Sequence, residues 1–147
     1  MAFRRRQPVP QPRRPAVLFL CVHNPGRSQM AAGFLRHLAG EDVEVYSGGS
    51  APADALNPTA VEAMAEVGFD ISSEHPTAWT DETARAADVI VTMGCGDTCP
   101  VYLGKRYEDW ELTDPAGRPL EIVRQVRDDI ERRVRDLITS LDLNVEA

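Results

Sequence analysis

A thiol, five residues and an arginine stand in the stretch Cys21-Val22-His23-Asn24-Pro25-Gly26-Arg27-Ser28. An ionised cysteine is a strong nucleophile, and an arginine presents a planar fork that matches tetrahedral oxyanions. The run Ala16 to Leu20 before it is apolar and reads as a buried strand; Gln29 to Ala39 after it reads as a helix. The motif therefore falls on a strand-to-helix turn, where the first helical amides and the helix dipole favour negative charge. Such a field favours the thiolate of Cys21 and places the nucleophile inside an anion cradle. It can attack the central atom of a phosphate ester or of arsenate.

Two further sets of residues could take part. Asp114 stands beside a turn proline, Pro115, and is the candidate acid for a leaving oxygen; spacing alone equally suits a plain Asp-Pro turn. Cys95 and Cys99 lie in Gly94-Cys95-Gly96-Asp97-Thr98-Cys99-Pro100. The glycines permit large backbone changes, and a bent turn brings the two sulfurs within disulfide reach. A mobile dithiol can attack the sulfur of a Cys21–arsenic adduct, release arsenite, and end as a disulfide by ordinary exchange. The three cysteines lack the paired spacing of a zinc site.

The elements that position these residues follow from periodicity. Met30, Phe34, Leu35 and Leu38 form an apolar stripe on the first helix. Val43 to Tyr46 reads as a second strand, ending at Ser47-Gly48-Gly49. Asn57-Pro58 reads as the cap and first turn of a helix closed by Gly68. Thr80 or Asp81 caps a short helix to Ala87, Asp88 to Met93 is a third strand, and Arg106 to Trp110 a fourth. Pro119 starts a long helix with core positions Val123, Val126, Ile130, Val134, Leu137 and Leu141. On its other side Arg124–Asp128, Asp128–Arg132, Asp129–Arg133 and Glu131–Arg135 read as a solvated face of i,i+4 pairs. Alternating strands and helices predict an α/β protein: a three-layer domain over residues 16–147, with a four-stranded parallel sheet and helices on both faces. Ligands then bind beyond the carboxyl ends of the strands, where Cys21, Cys95 and Asp114 all fall. Trp79 and Trp110 read as packing residues, and His23, His37 and His75 as exposed ones.

Composition narrows the classes. The chain has 147 residues and a formal net charge of −7. Residues 1–15 hold Arg4, Arg5, Arg6, Arg13 and Arg14, four prolines and no acids, so the remaining body is more acidic still. Residues 1–15 read as a disordered basic tail. The acidic body argues against nucleic acid as the main partner, and no apolar stretch suggests a signal peptide or membrane span. The expected compartment is the cytoplasm, where three cysteines are more plausibly chemical than structural.

The Cys21 to Ser28 loop, Tyr46-Ser47-Gly48-Gly49, Gly68-Phe69-Asp70-Ile71-Ser72, the Asp88 strand and Asp114-Pro115 together resemble the low-molecular-weight protein tyrosine phosphatase family. Cys95, Cys99 and Asp109-Trp110-Glu111-Leu112 make the chain resemble the arsenate reductase branch. The resemblance implies Cys21 as nucleophile and Asp114 as general acid. It implies Val22, His23, Asn24, Pro25, Gly26, Arg27 and Ser28 as the oxyanion loop, with Asn24 shaping it and the Ser28 hydroxyl supporting the thiolate. Cys95 and Cys99 would be the resolving pair. No cofactor would be bound; thioredoxin, or mycothiol with mycoredoxin, would be the external reductant. The chain departs from the family pattern at Gly26, where a second loop cysteine is common, and at Ala116-Gly117, where the phosphatases carry tyrosines. Ser47 and Asp70 match two positions of a potassium site seen in some relatives, but Ala32 stands at a third, so no metal is expected. A thiol transferase using mycothiol and a phosphotyrosine phosphatase are the alternative activities.

Overall fold

The computed structural model describes residues 14–21, 26–49, 55–93 and 104–143. Four parallel strands, β1 (Ala16–Cys21), β2 (Glu44–Gly49), β3 (Val89–Thr92) and β4 (Arg106–Asp109), form a sheet in the order β2-β1-β3-β4. Four helices accompany them: α1 (Arg27–Ala39), α2 (Pro58–Glu66), α3 (Asp81–Ala86) and α4 (Leu120–Ser140). Every residue of β1 is buried, as a central strand covered on both faces requires.

The period of two along β1 divides the core. Val17, Phe19 and Cys21 point to the face covered by α1, α2 and α4, together with Phe34, Met64 and Ile130. Leu18 and Leu20 point to the opposite face, under Ala84 of α3 and Ile90. Each fully buried Phe or Leu stabilises the fold by about 1.5–3 kcal/mol. The expected three-layer arrangement is therefore present, with three helices on one side and α3 on the other. Among the described residues no helix is long and apolar enough to cross a membrane.

Boundaries differ from the sequence reading where tertiary pairing overrides local signals. β2 runs on through Ser47, Gly48 and Gly49 because these pair with Phe19, Leu20 and Cys21 of β1. Gly48 is needed there, since a Cβ would lie 2.8 Å from the backbone of Trp79. Helix α1 starts at Arg27, two residues earlier than expected. Asn57 caps α2 as expected, its Oδ1 accepting from the Thr59 N–H at 2.9 Å, and Thr80 caps α3 in a reciprocal box with Thr83. Residues 1–13 of the expected tail lie outside the described residues; Arg14 pairs with Glu44, and the Pro15 carbonyl accepts from Glu44 N–H.

The polar side of α4 is not a plain solvated face. Arg124 binds Glu66 at the end of α2, Nη2 to Oε2 at 2.6 Å, in place of Asp128. Arg127 is 8% exposed and donates both to Glu66 and to the Ala63 carbonyl. Arg132 pairs with Asp129, as does Arg133 at 3.1 Å. Only Asp129–Arg133 and Glu131–Arg135 form as expected. Packing of α2 against α4 offers Arg124 and Arg127 a carboxylate across the interface, which the i,i+4 rule cannot anticipate. In the core stripe Ile138 is buried and Leu141 only half so.

Candidate active site

Cys21 ends β1 on the side that faces α1, so the chain brings its thiol beneath the start of that helix. Cys21 is 3% exposed, and its sulfur lies 3.0 Å from the Ser28 hydroxyl. Ser28 occupies the second position of α1 and is fully buried. The helix is entered at Gly26, which supplies no capping side chain, and its first turn holds no acid. A helix start with no side chain at its cap residue and no acid in its first turn offers its dipole and amides to an anion.

Arg27, the first residue of α1, has a side chain 13% exposed. Its Nη1 donates to the Leu112 carbonyl at 3.2 Å, and its Nη2 stands 3.9 Å from Asp114 Oδ2. One guanidinium thus reaches from the start of α1 to the turn that carries Asp114. Asp114 forms the turn that its spacing allowed. Its Oδ1 accepts from Ala116 N–H at 3.0 Å to form a turn, and its carboxylate, 60% exposed, stands at the edge of the cleft. The turn closes through Arg118 N–H on the Pro115 carbonyl and Gly117 at φ 70°, and Pro119 leads into α4.

Cys21, Gly26, Arg27, Asn57, Asp114, Pro115 and Ala116 line one small cleft of about 30 Å³. That is room for a compact group a few heavy atoms across. A nucleophile, a cation, a helix start and a carboxylic acid around such a space can bind a tetrahedral oxyanion, attack its centre and protonate a departing oxygen. Val22, His23, Asn24, Pro25, Cys95 and Cys99 lie outside the described residues.

The family model of the low-molecular-weight phosphotyrosine protein phosphatases matches residues 16–147. The chain belongs to that family. Within this phosphatase family it stands with arsenate reductases. It is 37% identical over 127 residues to arsenate reductase 2 of Staphylococcus epidermidis, covering 84% of this chain and 95% of that one. It is 38% identical over 128 residues to the glutaredoxin arsenate reductase of a Synechocystis species, covering 85% and 97%. The structure of the thioredoxin-dependent arsenate reductase of Corynebacterium glutamicum superposes with a TM-score of 0.79 at 45% identity. That match covers 91% of this chain but 64% of the Corynebacterium protein.

Sequence reasoning missed Asn57, Pro115 and Ala116 as walls of this family member's cleft. Asn57 was legible as a helix cap, and nothing local ties it to residue 115. Pro115 is buried with its ring against Gly26, where a Cβ would come within 3.0 Å of Pro115 Cγ. Gly26 therefore lets the Asp114–Ala116 turn close on the start of α1. The two tryptophans and the described histidines stay out of the site. Trp110 is buried against Phe19 with ring centroids 5.7 Å apart, and exposed His37 stacks near Phe69.

Proposed function

We propose that this chain reduces arsenate to arsenite. Arg27 and the start of α1 hold the oxyanion over the Cys21 sulfur. The Cys21 thiolate attacks arsenic; an S–As bond forms and one As–O bond breaks, the oxygen leaving as water with a proton from Asp114. The Cys95 thiolate then attacks the Cys21 sulfur. An S–S bond forms, the S–As bond breaks, and its electron pair stays on arsenic, which leaves as arsenite. Cys99 attacks Cys95, freeing Cys21 as a thiolate and leaving a Cys95–Cys99 disulfide for an external dithiol, thioredoxin, to reduce.

The observation that carries this reading is the shared cleft of Cys21, Arg27 and Asp114, with Ser28 at 3.0 Å from the sulfur. The arsenate reductase names of the relatives favour arsenate over a phosphate ester, as does Ala116 where the phosphatases carry an aromatic ring. A second reading, in which a small thiol such as mycothiol attacks the adduct, draws support from the Synechocystis relative's name, which couples it to glutaredoxin and not thioredoxin. Steady-state assays of Cys95→Ser and Cys99→Ser separate the two. Both variants should lose thioredoxin-driven reduction; retention of activity with a small thiol alone would favour the second reading. Turnover of an aryl phosphate, with none of arsenate, would overturn both.

A further inference from the structure

Asn57 is engaged at both ends of its amide. Its Oδ1 accepts from Thr59 N–H at 2.9 Å, which identifies the oxygen end of the group. Its Nδ2 therefore faces Pro115, whose carbonyl accepts from it at 3.5 Å. Pro115 follows Asp114 directly, and its ring lies on Gly26. The turn that carries Asp114 is thus held by contacts from two helix starts: from α2 through Asn57, and from α1 through Gly26 and through Arg27, which donates to the Leu112 carbonyl at 3.2 Å. Asp114 is largely exposed, and its own bond to Ala116 N–H lies within the turn. Its place in the cleft that Cys21 also lines is inherited largely from the turn, not from burial of its side chain.

We propose that Asn57 is a positioning residue for the proton donor: by tying the Asp114–Ala116 turn to the start of α2, it sets where the Asp114 carboxyl stands relative to the Cys21 sulfur. The proposal rests on the arsenate chemistry above and adds a residue to it. The bond at 3.5 Å is long, so its value lies in geometry more than in energy, and a displacement of about 1 Å at a reacting group costs up to about a hundredfold in rate.

The test uses Asn57→Ser, because serine caps a helix about as well as asparagine but lacks the amide N–H. Wild type, Asn57→Ser, Asp114→Asn and the double variant are reduced, mixed with excess arsenate, and followed by loss of free thiols in a single turnover. Thermal melting and inhibition by sulfate are measured alongside. Asn57→Ser should oxidise about tenfold more slowly at saturation, with half-saturating arsenate, sulfate inhibition and melting temperature little changed. In the Asp114→Asn background the same substitution should cost less than about twofold, since the acid it places is already gone. If serine lowers the melting temperature, Asn57→Asp carries the same test, keeping the cap oxygen and losing the donor. Wild-type speed in these variants, or a loss undiminished in the Asp114→Asn background, overturns the proposal. So does weaker arsenate binding at an unchanged maximal rate. A wild type that loses no thiols to arsenate refutes instead the assigned reaction, and the proposal falls with it.

Discussion

Ser28→Ala isolates the hydroxyl that faces the nucleophile. The two atoms are 3.0 Å apart, and both residues are buried, Ser28 at 0% and Cys21 at 3% exposure. A hydrogen bond to a charged group contributes about 1.5–3 kcal/mol net. At about 1.4 kcal/mol per factor of ten, losing such a bond to the proposed nucleophile should slow reactions of the Cys21 sulfur by roughly 10- to 100-fold. The substitution is small, removes no apolar volume, and puts a good helix former near the start of α1, so the melting temperature should stay within a few degrees. Two assays read the effect: arsenate-driven thiol loss in a single turnover, and alkylation of the Cys21 peptide by iodoacetamide at pH 7, quantified by mass spectrometry. Both rates should fall together. An Ser28→Ala protein that folds and alkylates at the wild-type rate would refute the claim that this hydroxyl supports the reactive sulfur.

Three further outcomes follow from the same geometry. Gly26→Ala places a Cβ 3.0 Å from Pro115 Cγ, pushing the Asp114 turn outward; maximal turnover should fall about tenfold while the fold persists by circular dichroism. Gly48→Ala places a Cβ 2.8 Å from the Trp79 backbone, and such overpacking should cost about 1–3 kcal/mol, read as a lower urea midpoint at unchanged slope. The hydrogen bond from Arg124 holds the Glu66 carboxyl below its ordinary value of 4.5, with Arg127 adding to the effect. The contribution of that carboxylate to stability is complete above the ordinary value and fades as pH falls through the lowered one. Glu66→Gln should therefore flatten the acid side of the melting-temperature profile below about pH 4.5, and an acid side identical to wild type would contradict the assignment.

How much of this was legible in the sequence depended on the range of each interaction. Cys21, Arg27 and Ser28 could be placed because a buried apolar run and an amphipathic run flank them, and local periodicity is enough to see a strand-to-helix turn. Asn57 and Thr80 announced themselves as caps for the same reason. Asn57's second bond, to a carbonyl 58 positions away, has no local signature. Nor does Arg27's hold on the Leu112 carbonyl, 85 positions distant. On α4 the local rule misled: Arg124 has an acid four residues on, yet Glu66 of α2 lies closer once the helices pack. The length of β2 was misjudged because Gly48 and Gly49 look like a turn until Leu20 and Cys21 pair with them.

The central claim is that Cys21 takes arsenic through one cycle and hands oxidation to two other thiols. Fully reduced protein mixed with arsenate, without any added thiol, should yield one arsenite per chain and a single disulfide joining Cys95 to Cys99, with Cys21 again free; Cys21→Ser should yield neither. Arsenite released by Cys21→Ser, or a wild type that forms the disulfide without releasing arsenite, would contradict the account.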